Sequence, residues 1–153
     1  MDRIGLQTLR EELLADAAEA ARALAAIHDR LAVSGDAGRE AAAFHLVRLY
    51  NIVEQMALRV AKAFENHIDN DAGWHSELMR RLSIAIPGIR PYLWPSGLAA
   101  PLRQLRGFRH VVNHAYDVAI DPDRLGLVVR DAETVVAALS PAVEAFVSGV
   151  ELD

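Results

Sequence analysis

Between Phe108 and Asp117 the sequence reads FRHVVNHAYD, which brings two histidines, an arginine, an asparagine, a tyrosine and an aspartate into one short stretch. On a helix turning about 100° per residue, with Arg109 at 0°, Tyr116 falls near about −20°, Asn113 near about 40°, Asp117 near about 80°, His110 near about 100° and His114 near about 140°. Phe108, Val111, Val112 and Ala115 take the arc from roughly 200° to 300°, an apolar stripe for a core. A solvated face ordinarily carries Glu, Lys, Gln and Ser. This one instead offers imidazoles for acid–base work, a guanidinium to hold an anion, and amide, hydroxyl and carboxylate groups beside them. Arg109 and His114 are separated by a rise of ~7.5 Å as well as an angle of about 140°, so their β-carbons lie on the order of 10 Å apart. They can flank one anion but scarcely touch.

The charge pattern points to the same region. The chain has 153 residues, 16 basic and 21 acidic, for a formal charge of −5. From Leu78 to Tyr116 there is no acidic residue, while Arg80, Arg81, Arg90, Arg103, Arg106 and Arg109 all fall there, so this window carries +6 and the remainder −11. Such segregation favours a local site for an anion over a protein that coats nucleic acid generally. On the helical wheel Arg106 (about 60°) and Arg103 (about 120°) share the reactive arc, extending a positive track along it. Arg80, Arg81 and Arg90 cannot be placed without a fold.

The elements that position these residues read as helices throughout. Residues 2 to 32 carry Leu6, Leu9, Leu13, Ala17, Leu24, Ile27 and Leu31 at threes and fours, up to a break at Ser34-Gly35-Asp36. A second helix is predicted over 37 to 68 on Leu46, Leu49, Tyr50, Val53, Met56, Ala57, Val60 and Phe64, with Arg48, Glu54, Arg59, Lys62 and Glu65 mostly on other faces. Asn70-Asp71 caps a third over 72 to 86, and a Pro/Gly-rich loop over 87 to 97 is pinned by Tyr92 and Trp94. Ser96 caps a fourth helix reaching Val118. Asp121-Pro122 opens a fifth over 122 to 149, which Pro141 should kink or interrupt. The expected fold is all-α, a single-domain up-and-down bundle of four to five helices spanning 1–153. Zero Cys excludes disulfides and thiolate zinc sites, and no apolar run approaches the ~18 residues of a membrane span or the pattern of a signal peptide, so the chain reads as cytoplasmic.

FRHVVNHAYD resembles the signature of the HEPN superfamily, in which Arg, a polar residue, three further residues and His mark a ribonuclease site: here Arg109, His110 and His114. Tyr116 extends it to R-x-x-x-x-H-x-Y, which is similar to the HepT toxin branch, and Trp74-His75 before a short helix is familiar in that family. The resemblance covers most of the chain. It implies metal-independent RNA cleavage, with no cofactor, leaving a cyclic phosphate and a free hydroxyl, at a site where two subunits of a symmetric dimer meet. It implies Arg109 and His114 as the catalytic pair, with His110, Asn113 and Asp117 supporting them and Arg103 and Arg106 holding RNA. It also implies that Tyr116 is the residue adenylylated by a partner antitoxin, a minimal nucleotidyltransferase of the MntA type.

Two other classes compete for the same residues. His110, His114 and Asp117 form a His-x-x-x-His pair with a carboxylate, sterically able to take a metal, although only three ligands come from one helix and Arg109 beside them disfavours a cation. A non-catalytic nucleotide- or partner-binding module would use the same charges. No phosphate-binding Gly-rich loop exists, and no Ser or Cys lies on the reactive face. His28, His45, His67 and His75 are scattered and read as surface or satisfied-core residues.

Overall fold

A computed structural model describes residues 1–65, 74–115 and 119–152, and these form an all-α bundle. Five α-helices occur among the described residues: α1 (Arg3–Leu31), α2 (Asp36–Phe64), α3 (Trp74–Leu82), α4 (Ala99–His114) and α5 (Pro122–Ser148), with a 3-10 turn at Ser96–Leu98 leading into α4. The four long helices close a cycle in which α1 contacts α2, α2 contacts α4, α4 contacts α5 and α5 returns to α1. α3 lies against α2.

The cycle is held by the stripes the spacing predicts. Leu6, Leu9, Leu13, Ala17 and Ile27 of α1 and Leu46, Leu49, Tyr50, Val53, Met56, Ala57 and Val60 of α2 are buried, as are Leu125, Val128, Val135, Leu139 and Phe146 of α5. Each fully buried Leu, Ile or Phe side chain contributes about 2 kcal/mol by leaving water. Charged pairs cross the surface between the same helices. Arg59 of α2 donates to Asp16 of α1 at 2.6 Å, Arg48 of α2 pairs with Glu19, and Arg10 of α1 with Glu144 of α5.

The turn between α1 and α2 needs two glycines. Gly35 takes φ +86°, in the left-handed region, and Gly38 sits so close to the end of α1 that a β-carbon there would lie 2.1 Å from the Val33 carbonyl oxygen.

Several boundaries differ from expectation. α3 stops at Leu82 rather than near 86, because the Leu82 carbonyl accepts the N–H groups of Leu93 and Trp94, while the Ile86 N–H turns to the Arg90 carbonyl at 2.8 Å. Trp94 is fully buried and anchors the loop, whereas Tyr92 is exposed and does not. Ser96 does not cap α4; the 3-10 turn precedes it, and the residue before Ala99 is Leu98, without a side-chain bond. Asp121 does cap α5, accepting from the Asp123 N–H with Pro122 in the first turn. α5 then runs unbroken through Pro141. Pro141 and Ala137, four residues earlier, are both exposed, so the carbonyl deprived of its donor faces water rather than the core. The capping expectation at Asn70-Asp71 lies outside the described residues.

Candidate functional site

α2, α3 and α4 converge on one open cleft of about 600 Å³, lined by Asn51 of α2, His75 and Ser76 of α3, and Arg106, Gly107, Arg109, His110, Asn113 and His114 of α4. The cleft follows from the local sequence of α2. Tyr50 is in the apolar stripe and only 1% exposed, and Glu54, four residues on and so on the same face, is carried inward with it to 7%. A carboxylate buried there must be paired. Arg109 of α4 supplies two bonds, Nη1 donating to Oε1 at 3.2 Å and Nη2 to Oε2 at 3.1 Å, and His75 of α3 brings Nδ1 to within 2.6 Å of Oε1. Glu54 thus ties three helices together.

The Arg109 guanidinium also lies over the Tyr50 ring, 4.5 Å from its centre, and donates from Nη1 to Asn51 Oδ1 at 2.9 Å. Three of its five N–H groups are engaged, leaving two without a partner among the described residues. Burial, and then the negative charge of Glu54, push the Tyr50 hydroxyl up to about 12, against the opposing pull of Arg109 and Arg106.

His110 and His114, one turn apart, stack with ring centres 4.2 Å apart, and His114 Nδ1 donates to the His110 carbonyl at 2.8 Å. That bond fixes the ring and leaves Nε2 as the nitrogen available to a ligand. α4 ends at His114, and Ala115 is already extended. α4 therefore stops short of the expected Val118, and Tyr116 and Asp117, with the helical-wheel positions expected for them, lie outside the described residues. The core stripe of α4 is also shorter than expected: Leu102, Leu105 and Phe108 are buried, but Val111 is exposed.

Arg106 donates to Ser76 Oγ at 2.6 Å and borders a second depression of about 340 Å³ that adjoins the first and includes Arg103, Arg80 and Glu77. The six arginines of the acid-free window fare differently in space. Arg81 and the buried Arg90 both pair with Glu65, Arg80 with Glu77, and Arg109 with Glu54. Of these six, Arg103 and Arg106 are left without a carboxylate among the described residues. Acids supplied by α2 and by the start of α3 offset most of a charge that looks unopposed in one dimension.

The same geometry corrects two sequence readings. Glu54, read among the residues mostly off the apolar stripe of α2, is buried, and His75, read as one of the scattered histidines, is part of the cleft. Glu54 carried a legible signal, its position four after Tyr50 and three before Ala57 in the apolar register. Asn51, Ser76 and the partnership of His75 carried none, since they depend on how α2, α3 and α4 are brought together.

A family model described as HepT-like protein matches residues 41–150, which span the cleft-forming parts of α2, α3 and α4. The chain belongs to the HepT-like family of the HEPN superfamily. No curated protein and no solved structure matches it. At the level of the family, membership points to a HEPN-type ribonuclease toxin paired with an antitoxin. In this HepT-like chain no helix among the described residues is long and apolar enough to cross a membrane, and none of those residues form a cluster of three or more metal-type ligands. The rings of His110 and His114 are stacked with planes 30° apart, and Asp117, third member of the alternative metal set, is outside the described residues.

Proposed function

We propose that this HepT-like chain is a metal-independent endoribonuclease, the cytoplasmic toxin of a type II toxin–antitoxin pair. The observation that carries this reading is the cleft lining: Arg106, Arg109, His75, His110 and His114 border one cavity, and no carboxylate lies among the described residues lining it. Such a surface suits a phosphodiester, which is anionic at every pH at which an enzyme works.

In this reading the ribose 2′-oxygen attacks the adjacent phosphorus, the bond to the 5′-oxygen breaks, and the products are a 2′,3′-cyclic phosphate and a 5′-hydroxyl. Arg109 holds the phosphoryl oxygens through its two remaining N–H groups and offsets charge as it develops; its guanidinium is held in place beforehand by Glu54 and Asn51. His114 moves a proton through Nε2. His110 and Asn113 orient these groups, and Arg103 and Arg106 hold flanking phosphates. A second copy of the chain completes the site as a symmetric homodimer, because Arg109 and His114 of one helix are too far apart to touch. Asp117 supports the site. Tyr116 is the point at which a minimal nucleotidyltransferase antitoxin of the MntA type adds adenylate, whose added phosphate competes with RNA.

Cleavage of a defined RNA in a chelator by wild type, Arg109→Lys and His114→Ala tests this. Lys keeps a cation beside Glu54 but not the fork. Loss of cleavage in both variants, each still folded, supports the proposal; full activity in both overturns it, and binding without cleavage by wild type assigns the cleft to a binding module instead.

A further inference from the structure

His75 stands in the cleft as a second, independently fixed imidazole. Its Nδ1 is 2.6 Å from Glu54 Oε1, and its ring lies against that of Trp74 with centres 3.8 Å apart and planes 31° from parallel. Glu54 is itself anchored by Arg109 and is 7% exposed, so the imidazole is held by a carboxylate that cannot swing away. A carboxylate accepts from Nδ1–H, so Nδ1 carries a proton and Nε2 is the remaining ring nitrogen. His75 is still part-exposed, and it borders the same cavity as Arg109 and His114. A carboxylate behind an imidazole that faces a reacting centre orients the ring and stabilises the cation formed when it accepts a proton.

Building on the ribonuclease reading above, we propose that His75 is the general base of the cleavage and His114 the general acid. His75 Nε2 takes the proton of the ribose 2′-hydroxyl as the 2′-oxygen bonds to phosphorus. His114 Nε2 gives its proton to the 5′-oxygen as the phosphorus–oxygen bond breaks. Each turnover leaves His75 protonated and His114 neutral, and exchange with water restores both. Glu54 is the positioning residue for this pair of roles, acting through His75 and Arg109.

A dinucleotide substrate in which sulfur replaces the bridging 5′-oxygen separates the roles, because a thiolate departs without an acid. His114→Ala is expected to cleave the oxygen substrate at least about 100-fold more slowly than wild type and to recover on the sulfur substrate. His75→Ala, and His75→Gln, which keeps a side chain able to donate to Glu54, are expected to be slowed about 100-fold on both. Wild-type rates in both folded His75 variants, or recovery of the His75 variants on sulfur, overturn the assignment while leaving the ribonuclease reading intact. A wild-type protein inert toward both substrates overturns that reading and this one with it.

Discussion

Glu54 and Arg109, 55 positions apart on α2 and α4, meet in a two-pronged ion pair whose Nη2–Oε2 distance is 3.1 Å, with both side chains largely removed from water. The residue proposed to hold phosphate is therefore also part of what joins α4 to α2. Removing one member of such a pair leaves the other as an uncompensated buried charge. Glu54→Ala is expected to cost about 3 kcal/mol, lowering the melting temperature by about 6 to 12 °C in a chain of this size, as followed by circular dichroism. An unchanged melting temperature would contradict a stabilising role for the pair.

Tyr50 lies beneath that pair, and its hydroxyl is pushed from 10.0 to about 12. A group whose folded pKa is raised contributes stability that is fully present below the unfolded value and is lost as pH rises through the folded one. The fold should therefore weaken between pH 10 and about 12, and an ultraviolet phenolate titration should show one tyrosine ionising late. Tyr50→Phe should abolish the late step; a late step that survives in this variant would place it elsewhere.

Gly38→Ala probes the junction of α1 and α2. The added β-carbon meets backbone oxygens of Val33 and Arg30, which are not the ends of flexible side chains, so one helix must shift. A loss of about 1 to 3 kcal/mol is expected in denaturant unfolding, and an unchanged midpoint would show that the junction yields freely.

Arg103 and Arg106, left without a carboxylate among the described residues, are expected to act on RNA through charge alone. Replacing either with Gln should weaken binding about equally for all sequences and reduce the salt dependence by roughly one counterion. A change confined to one RNA sequence would instead indicate base recognition.

The fold was largely legible because its signals are local. Leu46, Leu49, Tyr50, Val53 and Val60 define α2 by spacing alone, and Asp121-Pro122 announces α5 by its chemistry. The ends were less legible where tertiary bonds decide them, as when the Leu82 carbonyl turns to Leu93 and Trp94 and stops α3. The site divides in the same way. Arg109, His110, Asn113 and His114 share one helix, so periodicity gathers them, and all four border the cleft. Glu54, Asn51, His75 and Ser76 reach it from other helices, and the pairing of Arg81 and Arg90 with Glu65 is equally invisible along the chain. Net charge per segment overstated the positive potential because the carboxylates that offset Arg81, Arg90 and Arg109 are remote in sequence, while Glu77, which pairs with Arg80, falls just outside the acid-free window.

The most direct test of the account is a chelator-treated cleavage assay comparing wild type with His114→Ala, reading the chemical ends of the products. The account predicts that wild type leaves 2′,3′-cyclic phosphate and 5′-hydroxyl ends, and that folded His114→Ala cleaves at least about 100-fold more slowly. RNA left intact by wild type, or cut equally well by His114→Ala, would contradict it.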